Sequence, residues 1–164
     1  MPHRHPLFSC LRLNGRECIQ NELSQAEACA LLRMEKFRVD ATSHTFPDLG
    51  GHIQIALQSQ NQRESFSLDI SRRRIALTTK YQTRGRQAVV LARLDFNSPH
   101  RNPDDTEVGI PHLHIYREGF GDKWAYEVPE GMLKNPSDAW QVLLDFMSYC
   151  SIVEPPSISR GLFS

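Results

Sequence analysis

Apolar and polar residues alternate along the middle of the chain, and this period of two predicts β-strands with one buried face. Four such runs lie at residues 53–58, 65–70, 75–81 and 89–96, and short polar turns separate them. Consecutive strands joined by short turns pair antiparallel, so we predict a meander. The last of these runs is apolar on both faces at its start, which is typical of a central strand.

Two helices are predicted outside these strands. Residues 24–27 (SQAE) form a capping box, in which serine and glutamate side chains accept the first amides of a helix. This helix should run to about residue 37. A second helix is predicted from Pro136 to about residue 150, with Asn135 as its cap. Its apolar stripe predicts packing on the sheet through Trp140, Leu143 and Met147.

Two shorter alternating runs, at residues 111–117 and 123–128, complete the pattern and are joined by a turn that contains glycine. The sequence therefore predicts an α+β fold with an N-terminal helix, about six antiparallel strands and a C-terminal helix packed on the sheet. We expect a single domain over residues 23–164, because a chain of this length can form a core without cross-links. Residues 1–22 show no clean period and are expected to form a flexible or loosely docked N-terminal arm.

The composition excludes several classes of protein. The 19 basic and 19 acidic residues give a formal net charge of zero, which excludes a molecule that binds nucleic acid by its overall charge. No run approaches the roughly 18 apolar residues of a spanning helix, and the first residues lack an apolar signal segment. The four cysteines form no CxxC pair, so we expect free thiols and a cytoplasmic protein without membrane contact.

Charge is nevertheless uneven along the chain. Residues 63–93 contain eight basic and two acidic residues, whereas residues 94–131 contain three basic and eight acidic ones. The basic segment predicts a patch for nucleic acid or an acidic partner, although such a run can also form solvated turns. The candidate nucleic-acid-binding residues are Arg72, Arg73, Arg74, Lys80, Arg84 and Arg86.

Three of the seven histidines lie between residues 93 and 128. His112 and His114 are two apart on a predicted strand, so their rings and that of Tyr116 should share one face. His100 lies in a loop braced by prolines, which could aim its ring across the same face. An H-x-H pair also occurs on ordinary solvated strands, and this alternative stays open.

These residue types suit metal-free cleavage of RNA. The reaction needs a base for the 2′-hydroxyl proton and an acid for the leaving oxygen, and histidine suits both because its pKa is near neutral. Arginine and lysine can neutralise the phosphate, and an aromatic ring can stack a base. The candidate catalytic residues are His100, His112, His114, Arg101, Lys123 and Tyr126, with Trp124 as a second aromatic ring.

The same histidines, with Asp104, could instead bind zinc, since imidazoles and a carboxylate are common zinc ligands. No cysteine lies near them, and the sequence lacks HExxH and glycine-rich phosphate loops. We therefore expect no metal and no other cofactor.

Four longer stretches carry a resemblance to a known family: LSQAEACALLRMEK, VLARLDFNSPHRNPD, PHLHIYREGFGDKWAYEVP and WQVLLDFMSYCSIVEPPSISRGLF. With these motifs, the chain from about Leu23 to Phe163 resembles an uncharacterised family of small bacterial and prophage-type proteins. More distantly, its helix, antiparallel sheet and H-x-H strand resemble the layout of ribonuclease toxins of the barnase–EndoU–colicin–RelE group. That resemblance implies an RNA substrate, although the strongly basic surface of such toxins is absent here.

The leading expectation is a metal-independent endoribonuclease that acts as the toxin of a bacterial toxin–antitoxin or phage-defence module. The alternative is a non-catalytic binding protein, such as a phage-encoded, anti-CRISPR-like inhibitor of a host defence complex. Its acidic loop of Asp104, Asp105 and Glu107 could then imitate phosphates. The expected partner is RNA or an acidic protein, either an antitoxin or a defence complex.

Overall fold

The computed structural model describes residues 23–80 and 88–161, so the predicted arm at residues 1–22 lies outside the described residues. Within them the predicted α+β class is confirmed by two helices and a large, mostly antiparallel sheet. The helices are α1 (Gln25–Arg33) and α2 (Ala139–Tyr149). The strands are β1 (Lys36–Arg38), β2 (Ser43–Thr45), β3 (Ile53–Ser59), β4 (Ser65–Ser71), β5 (Arg74–Lys80), β6 (Ala88–Asp95), β7 (His100–Arg101), β8 (Glu107–Val108), β9 (His112–Ile115), β10 (Ala125–Glu127), β11 (Ile152–Glu154) and β12 (Ser157–Ser159).

The main sheet has eight strands in the spatial order β10-β9-β6-β5-β4-β3-β1-β11. The six predicted strands form its consecutive part from β10 to β3, and all their pairings are antiparallel. Strands β1 and β11 pair in parallel at the other edge and are not predicted by the alternation. The alternation also does not predict two small sheets, one of β2 with β12 and one formed by the β7–β8 hairpin.

The two faces of the main sheet differ in chemistry. Directly paired residues point to the same side of a sheet. One face, here called the helix-covered face, carries the fully buried Leu68, Leu77, Leu94 and Leu113, which form one core with apolar residues of α1 and α2. The other face, here called the histidine face, carries a row of directly paired residues across four strands: Asp69, Ala76, Arg93 and His114.

The first helix begins as predicted but ends earlier. The amide of Ser24 donates to Glu27 Oε2 at 2.9 Å, and the amide of Glu27 donates to Ser24 Oγ at 3.2 Å, so the capping box is present. The predicted end at about residue 37 is wrong. The ammonium group of Lys36 turns back to the carbonyl oxygens of Leu32 and Met34, at 2.9 and 2.7 Å, and Lys36 itself starts strand β1.

The second helix starts three residues later than predicted. Its cap is Asp138, whose side chain accepts the amide of Trp140 at 3.0 Å, whereas Asn135 accepts the amide of Ser137 in the preceding turn. The predicted packing residues Leu143 and Met147 are buried, and Trp140 lies half-buried with its ring edge-on to another aromatic ring. No helix in the described part of the chain is long and apolar enough to cross a membrane.

Candidate metal centre

Two histidines of β9 lie side by side on the histidine face. His112 pairs with Asp95 and His114 pairs with Arg93 on the neighbouring strand β6, so all four side chains point to the same side. The rings are nevertheless buried, with 2% of His112 and 0% of His114 exposed. Side chains on a solvated strand face would be exposed. Another part of the chain must therefore cover these two rings.

The β7–β8 hairpin covers them and supplies a third histidine. Asn102, at the end of β7, clasps strand β10: its Nδ2 donates to the carbonyl of Ala125 at 3.0 Å, and its Oδ1 accepts the Ala125 amide at 2.8 Å. This clasp holds His100 with its ring centroid 4.6 Å from that of His114 and 5.7 Å from that of His112. One ring nitrogen of each histidine lies within 4.8 Å of those of the other two.

Backbone carbonyls fix the protonation of two of these rings. His100 Nε2 lies 2.8 Å from the carbonyl oxygen of Lys123, and His112 Nδ1 lies 2.8 Å from that of Gly109. A carbonyl can only accept, so each of these nitrogens carries a proton, and in the neutral form of the ring the other nitrogen has the lone pair. Histidines that bind metals are held in the same way, by donating their second ring N–H to a carbonyl or carboxylate.

The third ring, His114, has a lowered pKa. Burial lowers the pKa of His114 to about 4, and the positive charges of Arg93, His100 and His112 act in the same direction. The backbone of Asp122 opposes them by favouring the protonated ring. Arg93 Nη2 lies 3.0 Å from His114 Nε2, and since a guanidinium only donates, this nitrogen accepts. A neutral imidazole is the form of histidine that binds metals, and the lowered pKa keeps His114 in this form at neutral pH.

Arg93 contacts the histidine cluster, and the sequence patterns do not single it out. Its Nη1 forms an ion pair with Asp122, and its Nε lies 3.8 Å from Asp95 Oδ2. The alternation of strand β6 puts Arg93 and Asp95 on one face, and this is the available signal. The register that brings that face beside His112 and His114 is a long-range pairing, which no local pattern contains.

A cleft of about 350 Å³ opens beside the cluster, and its lining includes Arg93, His100 and Asp122. Two of the predicted catalytic residues, Arg101 and Lys123, also line it. Arg101 is already paired with Glu107 and lies 3.9 Å from Asp105, so its charge is largely neutralised.

The structure separates Tyr126 from this group. Tyr126 pairs with Leu113, whose side chain belongs to the helix-covered face, so the tyrosine points away from the histidines. Tyr116 lies beyond the end of β9 in the core, and its hydroxyl donates to the carbonyl of Leu23 at 2.7 Å. The ring of Trp124 is not free to stack a base, because the guanidinium of Arg117 lies 3.9 Å from its centroid.

Asp104, the carboxylate suggested as a further zinc ligand, does not join the cluster. Its Oδ1 accepts from both the hydroxyl and the amide of Thr106, at 2.6 and 3.1 Å. These hydrogen bonds lower the pKa of the Asp104 carboxyl. Asp104 therefore caps its own turn, whereas Asp95 and Asp122 contact Arg93 beside the histidines.

The described residues of the predicted basic patch lie at the two ends of β5. Arg72, Arg73 and Arg74 line a cavity of about 880 Å³ on the histidine face. Lys80 lies at the opposite end of β5 from Arg74, roughly 20 Å away along the strand. Lys80 is far from the three arginines because the extended strand β5 lies between them. Arg84 and Arg86 lie outside the described residues.

These observations define the protein as a mostly antiparallel α+β fold with a three-histidine cluster, in which His112 and His114 are buried. The model of a family of unknown function, DUF6978, matches residues 23–152 of the chain. The chain belongs to this family, which confirms the predicted membership in an uncharacterised family. No curated protein and no solved structure matches it. The resemblance to ribonuclease toxins stays a prediction.

Proposed function

We propose that the protein is a metal-dependent hydrolase of phosphate esters, with His100, His112 and His114 as ligands of a divalent transition-metal ion of the zinc type. The observation that carries this proposal is the convergence of three imidazoles, two of which donate one ring N–H to a backbone carbonyl. Three histidines with room for water match the composition of catalytic zinc sites, whereas closed structural sites use four protein ligands.

The surroundings support a reaction at a phosphate. A zinc-type ion held by His100, His112 and His114 would lower the pKa of a bound water to near 7, which would make hydroxide available for hydrolysis of a phosphate ester at neutral pH. Arg93 and Lys123 line the cleft, where their positive charges would stabilise the phosphate as negative charge develops.

Arg93 and the metal ion cannot both occupy Nε2 of His114. Both would use the same lone pair, and two positive charges would then lie side by side. Asp122 and Asp95 already contact the guanidinium, so Arg93 keeps carboxylate partners when it leaves the ring. The proposal therefore includes a shift of Arg93 away from His114 when metal binds.

The metal-independent ribonuclease expected from the sequence uses the same histidines and stays a prediction. A ring whose pKa is about 4 carries almost no proton at pH 7, which disfavours His114 as a general acid. RNA remains the first substrate to test, in keeping with the toxin-like layout. For the inhibitor alternative, Arg101 pairs with Glu107 and lies 3.9 Å from Asp105, so one of the three acidic charges of the loop is neutralised.

The test is hydrolysis of bis(p-nitrophenyl) phosphate and single-stranded RNA by the full chain, first stripped with EDTA and then reloaded with zinc, cobalt or manganese. We expect activity to disappear with EDTA and return with metal. It should fall at least about a hundred-fold in His114→Ala. His44→Ala is the matched control, because His44 lies on the separate small strand β2.

Two results would contradict this proposal. RNA cleavage that persists undiminished in EDTA would favour the metal-free ribonuclease. A protein that binds metal through the three histidines but hydrolyses neither substrate would have a metal centre without the proposed activity.

A further inference from the structure

The histidine face has a second feature beside the cluster, the arginine-lined cavity. Its volume of about 880 Å³ lies within the range of roughly 300–1,000 Å³ that is usual for ligand sites. Arg72, Arg73, Arg74 and Arg93 are its basic lining residues. The floor consists of small or β-branched side chains of β5 and β6, namely Ala76, Thr78 and Val90.

The strand register connects this cavity to the histidines. Ala76 on the floor pairs with Arg93, and Arg93 pairs with His114. Neighbouring strands lie about 4.8 Å apart, so the floor is roughly 10 Å from the ring-bearing position. A parallel row leads from Arg74 through Asp95 to His112. Arg93 lines both the cavity and the cleft, so the two spaces share a wall.

The charges of the cavity favour an anion. Arg72 donates its Nε to the carbonyl of Pro47 at 3.0 Å and packs near an aromatic ring. Neither Arg72 nor Arg73 forms an ion pair with any residue that the structure describes. Arg74 Nη2 forms an ion pair with Asp95 Oδ2 at 3.3 Å, but the arginine side chain stays half exposed. Two guanidinium groups are therefore free of carboxylates and a third is only partly neutralised, an arrangement that suits phosphate oxygens.

We infer that this cavity is the track for a single strand of nucleic acid, whose backbone phosphates contact Arg72, Arg73 and Arg74 while a further phosphate reaches the histidine cluster. The second half of the inference rests on the proposed function, whereas the binding itself does not. One phosphate would occupy only one of the two spaces, but a strand with successive phosphates spans both. The cleft that His100 lines has a volume of about 350 Å³, which suits one strand rather than a duplex.

An acidic protein is the less favoured partner. Protein interfaces depend on apolar or aromatic anchors in well-fitting pockets. The floor of small side chains offers no such pocket, and the exposed Leu49 at its margin is a single apolar group. Backbone phosphates need only the guanidinium groups and a surface that leaves room for the bases.

The experiment measures the binding of a short, fluorescently labelled single-stranded RNA to the full chain by anisotropy in EDTA, over a series of salt concentrations. We expect the Arg72→Gln, Arg73→Gln double variant to bind at least about ten-fold more weakly. Its slope of log affinity against log salt should shrink by roughly 0.7 for each phosphate that is no longer neutralised by an arginine. The matched control is Arg33→Gln, an exposed arginine of α1 on the other side of the sheet.

Several outcomes would overturn the inference. The double variant could bind as tightly as the wild type, or Arg33→Gln could weaken binding as much. A duplex or polyglutamate could compete as well as an unlabelled single strand. The proposed function fails separately: RNA binding that depends on the arginines, in a protein that takes up no metal, would leave the track intact and remove the hydrolase. Metal-dependent hydrolysis of the small ester without RNA binding would leave the hydrolase intact and remove the track.

Discussion

Two regions of the molecule bury basic nitrogen groups, and they do so in opposite ways. On the helix side, Lys36 is 0% exposed, and its three N–H bonds are taken by the carbonyls of Leu32, Met34 and Cys150 at 2.7–2.9 Å. Its ammonium group also lies 4.8 Å from the centre of the Phe66 ring. On the histidine face, the neighbours of His114 are two further imidazoles and the guanidinium of Arg93.

The difference shows which region is structural and which is suited to a ligand. The Lys36 ammonium has as many acceptors as donors, so it needs no external group and joins the ends of both helices. Burial lowers the pKa of Lys36 to about 8, which still leaves it mostly charged at neutral pH. The histidine cluster instead brings together three imidazoles, and a metal cation is a charge that imidazole lone pairs can bind.

The largest effect on stability is expected from Lys36→Met. This change leaves three buried carbonyls at the helix ends without their donor, and it should lower the free energy of unfolding by about 3–5 kcal/mol. Urea unfolding followed by circular dichroism measures the loss. Metal binding by the folded fraction should be unchanged, and a nearly neutral variant would mean that Lys36 does not hold the helix ends together.

The next effect is a pH dependence of the metal-free protein. The folded-state pKa of His114 is depressed from 6.5 to about 4, so the stability associated with its neutral ring is present above pH 6.5 and is lost as the pH falls towards 4. The full loss is about 3 kcal/mol at most. Between pH 6.5 and 5 the wild type should therefore unfold at progressively lower urea, and His114→Gln, which keeps an acceptor for Arg93, should flatten this slope.

His44→Gln serves as the control for that titration, since it removes a histidine on β2 outside the cluster. If His114→Gln keeps the wild-type slope while His44→Gln loses it, the pH dependence does not come from the buried ring.

A smaller effect is expected from the clasp of the hairpin. Asn102→Ala removes both hydrogen bonds to Ala125, so His100 is no longer held over the other two rings. Metal affinity should fall roughly 10–100-fold, as it does when groups that orient metal ligands are removed. Asn135→Ala is the control, because Asn135 accepts an amide in a turn outside the site. Equal metal affinities in wild type and Asn102→Ala would show that His100 is not a ligand.

Much of this architecture follows from local patterns in the sequence. The alternation locates the six central strands and puts His112 and His114 on one face, because a period of two is a property of the strand itself. The prolines around His100 indicate a braced loop. The end of α1 does not follow from local patterns, because the Lys36 side chain is held partly by Cys150, more than a hundred residues away.

The composition of the site depends on register, which local patterns do not determine. Arg93 joins the histidines only through the pairing of β6 with β9, and the pairing of Tyr126 with Leu113 turns the tyrosine away. The metal-free expectation relies on the ordinary pKa of histidine. Burial under the β7–β8 hairpin lowers the pKa of His114. Burial of this kind is a property of the folded chain.

The most direct test of the metal centre is a zinc titration of the metal-stripped full chain by calorimetry, repeated with cobalt to record its absorption spectrum. We expect one equivalent of tightly bound metal and a cobalt spectrum with nitrogen ligands. Affinity should fall by more than about a hundred-fold in the His112→Ala, His114→Ala double variant and stay unchanged in His44→Ala. Absence of stoichiometric binding, or binding that survives the double substitution, would contradict a metal centre at these three histidines.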